Sequence, residues 1–232
     1  MYATIGCLAL AAALTAAAPP VPTRSGTELA EQARRELDSI SAVQLRMTSP
    51  GFSLRLSLDE DGNCAGSAAM TDHGRVKIVK RGETVWLAPN AAFWRTQVGG
   101  EDGEKLANSV NGRYIKGTSD QALMEGMSAT CDLDVLRTAA FAGDGSQWRR
   151  GTGAAGHHLT RTQGDTTVTM DVAPHGRPYP RTVTRETPGA GQDVLRLSRF
   201  GAPVPRGVPS ERDSLDTAEL TELLDSPPTE SV

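Results

Sequence analysis

Aromatic residues make up only 4% of this 232-residue chain, and it has three cysteines and four histidines. So sparse a stock of soft ligands leaves little to build a metal centre. His157 and His158 are adjacent, so on a strand they point to opposite faces and do not share a metal, while His73 and His175 fall in turn sequences. A basic excess is missing too. Net charge is −4, and in residues 210–232 seven acids face Arg212 alone, giving that tail −6 and the remainder about +2. Such a balance offers no electrostatic footprint for nucleic acid. Nor does any nucleophile sit at a spacing that would give it an orienting base, so neither an enzyme nor a cofactor is expected.

Two local patterns imitate chemistry. Gly62-Asn63-Cys64-Ala65-Gly66 has the spacing of a nucleophile elbow with cysteine in place of serine, but no helix pattern follows it. Asp59, Asp61 and Asn63 begin like a calcium loop, yet its sixth position is Cys64 rather than glycine and its twelfth is Met70 rather than glutamate. Both read as hairpin turns.

Residues 5–18 form an apolar run too short for a membrane span and end in Ala16-Ala17-Ala18-Pro19, as a signal-peptide core does. No positive charge precedes Ile5. Cys7 has two readings: a residue of a removed signal, or the lipidated end of a weak lipobox that would hold the protein peripherally on the membrane. Either way the chain is expected outside the cytoplasm, secreted or anchored to the outer face of the cell membrane. There Cys64 and Cys131 are expected to pair.

Residues 19–26 form a Pro-rich linker. Ser25 and Glu28 have capping-box spacing, and Leu29, Ala33, Leu37 and Ile40 mark the apolar face of a helix running to about residue 39. Val43, Leu45 and Met47 make a first strand. Over residues 52–94 a meander of four or five strands is expected: Phe52, Leu54, Leu56 and Leu58 alternate with polar residues, and Asp61-Gly62 suits a type I′ turn. Residues 101–142 read as a helical insertion, with Thr118 and Gln121 as a second capping box and Asp132 as a third cap. Strands resume near Trp148 and continue to Phe200, giving about ten in all, with turns at Gln163-Gly164-Asp165, Pro174-His175-Gly176 and residues 188–191. The acidic tail, residues 210–232, is expected to hold one short helix and to be partly disordered.

Helix first, then a meander carrying Gly62-Asn63-Cys64 and Val85-Trp86-Leu87, then Tyr114-Ile115-Lys116-Gly117, Cys131-Asp132-Leu133 and Gly176-Arg177-Pro178-Tyr179-Pro180: this set resembles actinobacterial lipoproteins of the LppX/LprG type, similar in fold to the lipoprotein carrier LolA. The resemblance covers roughly residues 27–205. It implies an α+β fold, a curled antiparallel sheet of about eleven strands forming an incomplete barrel, with helices over its concave face and an apolar cavity beneath them for a lipid or acyl chain.

The residues alone lead to a compatible place, because a ten-strand sheet has a broad apolar face and the available helices are short. The half-barrel domain is assigned to residues 27–209. Its candidate cavity residues are Phe52, Leu54, Leu56, Leu58, Trp86, Val168 and Met170. The strand arginines Arg161, Arg181, Arg185, Arg196 and Arg199 are assigned to the solvated outer face, the alternative being a place at the cavity mouth. A second functional reading is an envelope protein-interaction or sensor module that uses the acidic tail.

Overall fold

Ser25 and Glu28 close the predicted capping box. The Ser25 hydroxyl accepts from the Glu28 N–H at 3.2 Å, and the Glu28 carboxylate accepts from the Ser25 N–H at 2.7 Å. They start helix α1 (Gly26–Asp38), which buries Leu29, Ala30, Ala33 and Leu37 on one face. The structure, a computed structural model, describes residues 24–110, 112–143, 147–151 and 157–225. The export segment with Cys7, most of the linker, and residues 226–232 of the tail lie outside the described residues.

After α1 come β1 (Ala42–Ser49), β2 (Phe52–Asp59), β3 (Cys64–Met70), β4 (Gly74–Arg81) and β5 (Thr84–Pro89). Helices α2 (Ala91–Gln97) and α3 (Gly100–Ser109), strand β6 (Tyr114–Thr118), and helices α4 (Ala122–Ala129) and α5 (Leu133–Phe141) follow. The second run of strands is β7 (Arg149–Arg150), β8 (His157–Gln163), β9 (Thr166–Val172), β10 (Pro180–Thr187) and β11 (Gly191–Ser198). Strand β12 (Ser214–Asp216) and helix α6 (Thr217–Asp225) complete the described chain. All twelve strands join one sheet in the order β12-β6-β5-β4-β3-β2-β1-β11-β10-β9-β8-β7. Every pairing is antiparallel except β12 with β6, and the sheet is curled but not closed.

Four local expectations need correcting. The meander stops at Pro89, because the Asn90 side chain accepts from the Phe93 N–H at 3.0 Å and caps α2, so Trp94 lies in a helix. The Asp61-Gly62 turn is not type I′: Gly62 has a φ of 73°, whereas Asp61 is not among the positive-φ residues. Instead the Asp59 carboxylate accepts from the Asn63 N–H at 2.9 Å and fixes the turn from outside. Thr118 and Gln121 make only half a capping box, with the Gln121 side chain accepting from the Thr118 N–H at 3.1 Å, and Gln121 takes the N-cap position of α4 without a side-chain bond to the helix. Finally, Ser214, Leu215 and Asp216 are a strand, which lines up parallel to Tyr114, Ile115 and Lys116 at the far edge of the sheet.

Cross-strand register sorts the side chains of the concave face into apolar rows. One row runs Ile115, Leu87, Ile78, Gly66, Leu56, Leu45, Leu197 across seven strands. A second runs Leu54, Met47, Leu195, Val183, Met170, Leu159. Because side chains alternate along each strand, one face collects these rows and the other collects the intervening polar residues. Gly66 is the exception in its row. A Cβ there would lie 1.9 Å from the Arg55 carbonyl oxygen, so the two strands can approach this closely only because the side chain is absent. Close approach of backbone in mid-sheet is one way to bend a sheet. Gly66→Ala is therefore expected to destabilise the fold by about 1–3 kcal/mol, read as a lower denaturant midpoint; an unchanged midpoint would remove Gly66 from this account.

Candidate functional site

Helix α5 is fastened over the concave face at both ends. At its start the Asp132 carboxylate accepts from the Asp134 N–H at 2.7 Å, and the preceding Cys131 is disulfide-bonded to Cys64 at the head of β3, with Cα atoms 5.5 Å apart. At its finish, carbonyls of the last turn are met from the sheet. Arg185 donates to the Ala139 carbonyl, and Arg161 donates to those of Phe141 and Ala142. Arg137, within the helix, donates to the Ile40 carbonyl at 2.6 Å and so ties α5 to the end of α1.

These contacts correct the arginine assignment. Arg161 is buried, with its guanidinium 4.6 Å from the centre of the Trp148 ring. Arg185 is half-buried, and burial lowers its pKa while Asp193 opposes that shift. As an arginine it remains a cation. The two belong to β8 and β10, whose alternation places them on the same face as Leu159 and Val183. Arg181, Arg196 and Arg199 are exposed as expected. Period two alone does not separate the inward pair, because Arg181 is also two positions from Val183 and Arg199 two from Leu197; the register shift between Pro180 and Thr182 turns Arg181 outward.

Between α5 and the sheet lies a cleft of about 250 Å³, lined by Leu45, Met47, Leu54, Val183, Leu195 and Leu136. Thr130, Asp132, Arg185 and Asp193 stand at the same cleft and give it a polar rim. Met47 and Leu54 are only partly buried, so the second apolar row is left incompletely covered where α5 passes over it. Val135 of α5, 56% exposed, adds an apolar side chain at the lining. A larger cleft of about 560 Å³ between β6, β12 and α6 has charged walls, including Lys116, Glu211 and Asp216, and does not suit an apolar ligand.

The residues proposed from sequence are distributed over several places. Leu54 lines the cleft. Leu56, Leu58, Val168 and Met170 share its face but are fully covered by neighbours. Phe52 is partly exposed at the start of β2. Trp86 is buried but alternates with the core residues Val85 and Leu87, which puts it on the other face of β5. The apolar lining residues that sequence reading did not single out include Leu45, Met47, Val183, Leu195 and Leu136. Their apolar periodicity was visible; which part of the face α5 leaves uncovered was not.

No family model and no curated protein matches the sequence. Among solved structures, LprF from Mycobacterium bovis superposes with a TM-score of 0.53 over 80% of this chain and 97% of its own, at 12% identity. The fold is that of LprF. The Mycobacterium tuberculosis lipoprotein LppX follows with a TM-score of 0.47 over 78% of this chain and 97% of its own, at 11% identity. The resemblance to LppX/LprG-type lipoproteins read from sequence thus holds for the fold, and the match to LprF spans nearly its whole length. The chain carries its helices on a curled, unclosed sheet.

Among the described residues no group of three or more His, Cys, Asp or Glu is placed to hold a metal, and no helix is long and apolar enough to cross a membrane. The disulfide closes a chain separation of 67 residues. Cross-linking a loop of that length stabilises by about 4 kcal/mol on the chain-entropy model. Cys64→Ala is expected to free the start of α5 and raise the rate of proteolysis within α4 and α5 well above that in β9–β11. Equal cleavage of mutant and wild type would contradict this role for the bridge.

Proposed function

We propose that the protein is a non-enzymatic binding protein that works outside the cytoplasm and seats one apolar chain, such as a lipid acyl chain, in the cleft beneath α5. The observation carrying this reading is the partly uncovered row Leu54, Met47, Leu195, Val183 under a helix held by its two ends. The fold shared with LprF and the expected export signal support it. A volume of about 250 Å³ corresponds to about eight groups of water size, at about 30 Å³ each. Eight buried methylenes contribute roughly 6 kcal/mol, which before ordering costs corresponds to a Kd on the order of tens of micromolar. The cleft is below the ~300–1,000 Å³ usual for drug-sized ligands. It therefore takes one chain segment as it stands, and a bulkier lipid requires α5 to move. Arg185 and Asp193 at the rim give an ionic or polar head group somewhere to rest.

The alternative, an envelope interaction or sensor module, is favoured by α6, which buries Leu220 against the domain while leaving Glu219 and Asp225 exposed. Titration with a fluorescent fatty acid separates the two readings. The carrier reading predicts saturable uptake by the wild type and a loss of roughly ten-fold or more in affinity for Ala139→Trp, which places an indole in the cleft from the exposed side of α5. No uptake by either protein, with capture of an envelope protein that depends on residues 210–232, would move the function to the second reading.

A further inference from the structure

The convex face of the sheet carries a row of cations that nothing in the fold requires. Arg46 of β1 stands directly opposite Arg55 of β2 on one side and Arg196 of β11 on the other. The same row continues through Ser67 to Lys77. Arg75 and Arg181 flank it, sharing shallow clefts of about 430 and 290 Å³ with Arg46 and Arg55. All six side chains are exposed. Like charges directly opposite on a sheet are destabilising, so three adjacent guanidinium groups at strand spacings of about 4.8 Å work against folding.

Among the described residues no carboxylate answers them. The acids of this face are set apart from the row: Asp59, four positions from Arg55 at the end of β2, accepts from the Asn63 N–H at 2.9 Å, Asp171 is held by His158 at 2.8 Å, and Glu186 is two positions beyond Thr184. Around the row the surface is small and neutral: Gln44, Thr48, Ser53, Ser57, Ser67 and Ser198. Among the described residues none of the large exposed hydrophobic ones (Val98, Leu123, Val135, Val208) belongs to a strand, so the described part of this face has no large exposed apolar anchor.

We infer that this face docks onto an anionic phospholipid surface. Planar guanidinium groups bind phosphate oxygens in a bidentate fashion, and adjacent ones need a partner that offers many such groups side by side. A folded protein partner would bring a hydrophobic patch needing a complement, and this face has none to give. A phospholipid surface asks only for charge, and each basic side chain near it contributes about a five-fold gain in affinity. The inference is independent of the cleft, which opens on the opposite face of the sheet.

Co-sedimentation of the full chain with phosphatidylcholine vesicles, with and without phosphatidylglycerol, tests it. Any contribution from the apolar residues 5–18 is common to both vesicle types and drops out of the ratio. Wild type is expected to prefer the anionic vesicles, to lose that preference at high salt, and to bind them roughly 100-fold more tightly than the triple variant R46Q/R55Q/R196Q. The triple variant is expected to melt at or above the wild-type temperature, because repulsion is relieved; a lower melting temperature would make the arginines structural and overturn the assignment. R46Q alone, removing the central charge, gives the same reading with the smallest disturbance and should bind about five-fold more weakly. Equal binding to both vesicle types, undiminished binding by the variants, or binding to soluble polyphosphate without binding to vesicles would each overturn it.

Discussion

A sheet of twelve strands with one apolar face has to be covered, and this chain brings only short helices to cover it. Every larger feature follows from that constraint. Helix α1 lies against β7, β8 and β10 and meets α5, while α2 sits on β4 and α4 on β5. Curling brings the rows of the concave face toward these helices, and a glycine at position 66 lets two strands come close enough in mid-sheet for that to happen. Coverage is good over Leu56, Leu58, Met170 and Leu159, which are fully buried, and fails over Met47 and Leu54. The cleft is thus a consequence of helix length and placement, not of any dedicated motif.

What holds α5 in place sets how readily that cleft opens. The covalent tie is at one end only, at Cys131. At the other end the ties are hydrogen bonds from Arg161 and Arg185 to helix carbonyls. Charge-assisted bonds of this kind are worth more than neutral ones but can exchange for water or for another anion. Helix α5 is thus held covalently before its start and by hydrogen bonds at its finish. Of the two arginines, Arg185 also stands at the rim of the cleft.

Much of the fold was legible from the sequence because it rests on short-range rules. The Ser25–Glu28 box, the Asp132 cap, the alternation in β2 and β9, and the pairing of two cysteines expected in an oxidising compartment all involve a few residues and a stated mechanism. Where reading failed, either a local cap was overlooked or a longer-range contact decided the outcome. Asn90 capped a helix where β-rich neighbours suggested more strand. Residues 214–216 became a strand only because β6 offered an unpaired edge, which no local pattern announces. The site was less legible than the fold. Periodicity identified the concave face, yet choosing Leu54 over Leu56 or Leu58 as a cleft residue requires knowing where α5 ends. Arg161 and Arg185 looked like surface residues by type and turned out to be inward-facing by register.

Native mass spectrometry of the protein purified from a lipid-containing host tests the account most directly. The account predicts a population heavier than the polypeptide by the mass of a single apolar molecule, released when organic solvent is added. A spectrum holding only the ligand-free mass, from protein that also leaves added fatty acid unbound, would contradict it.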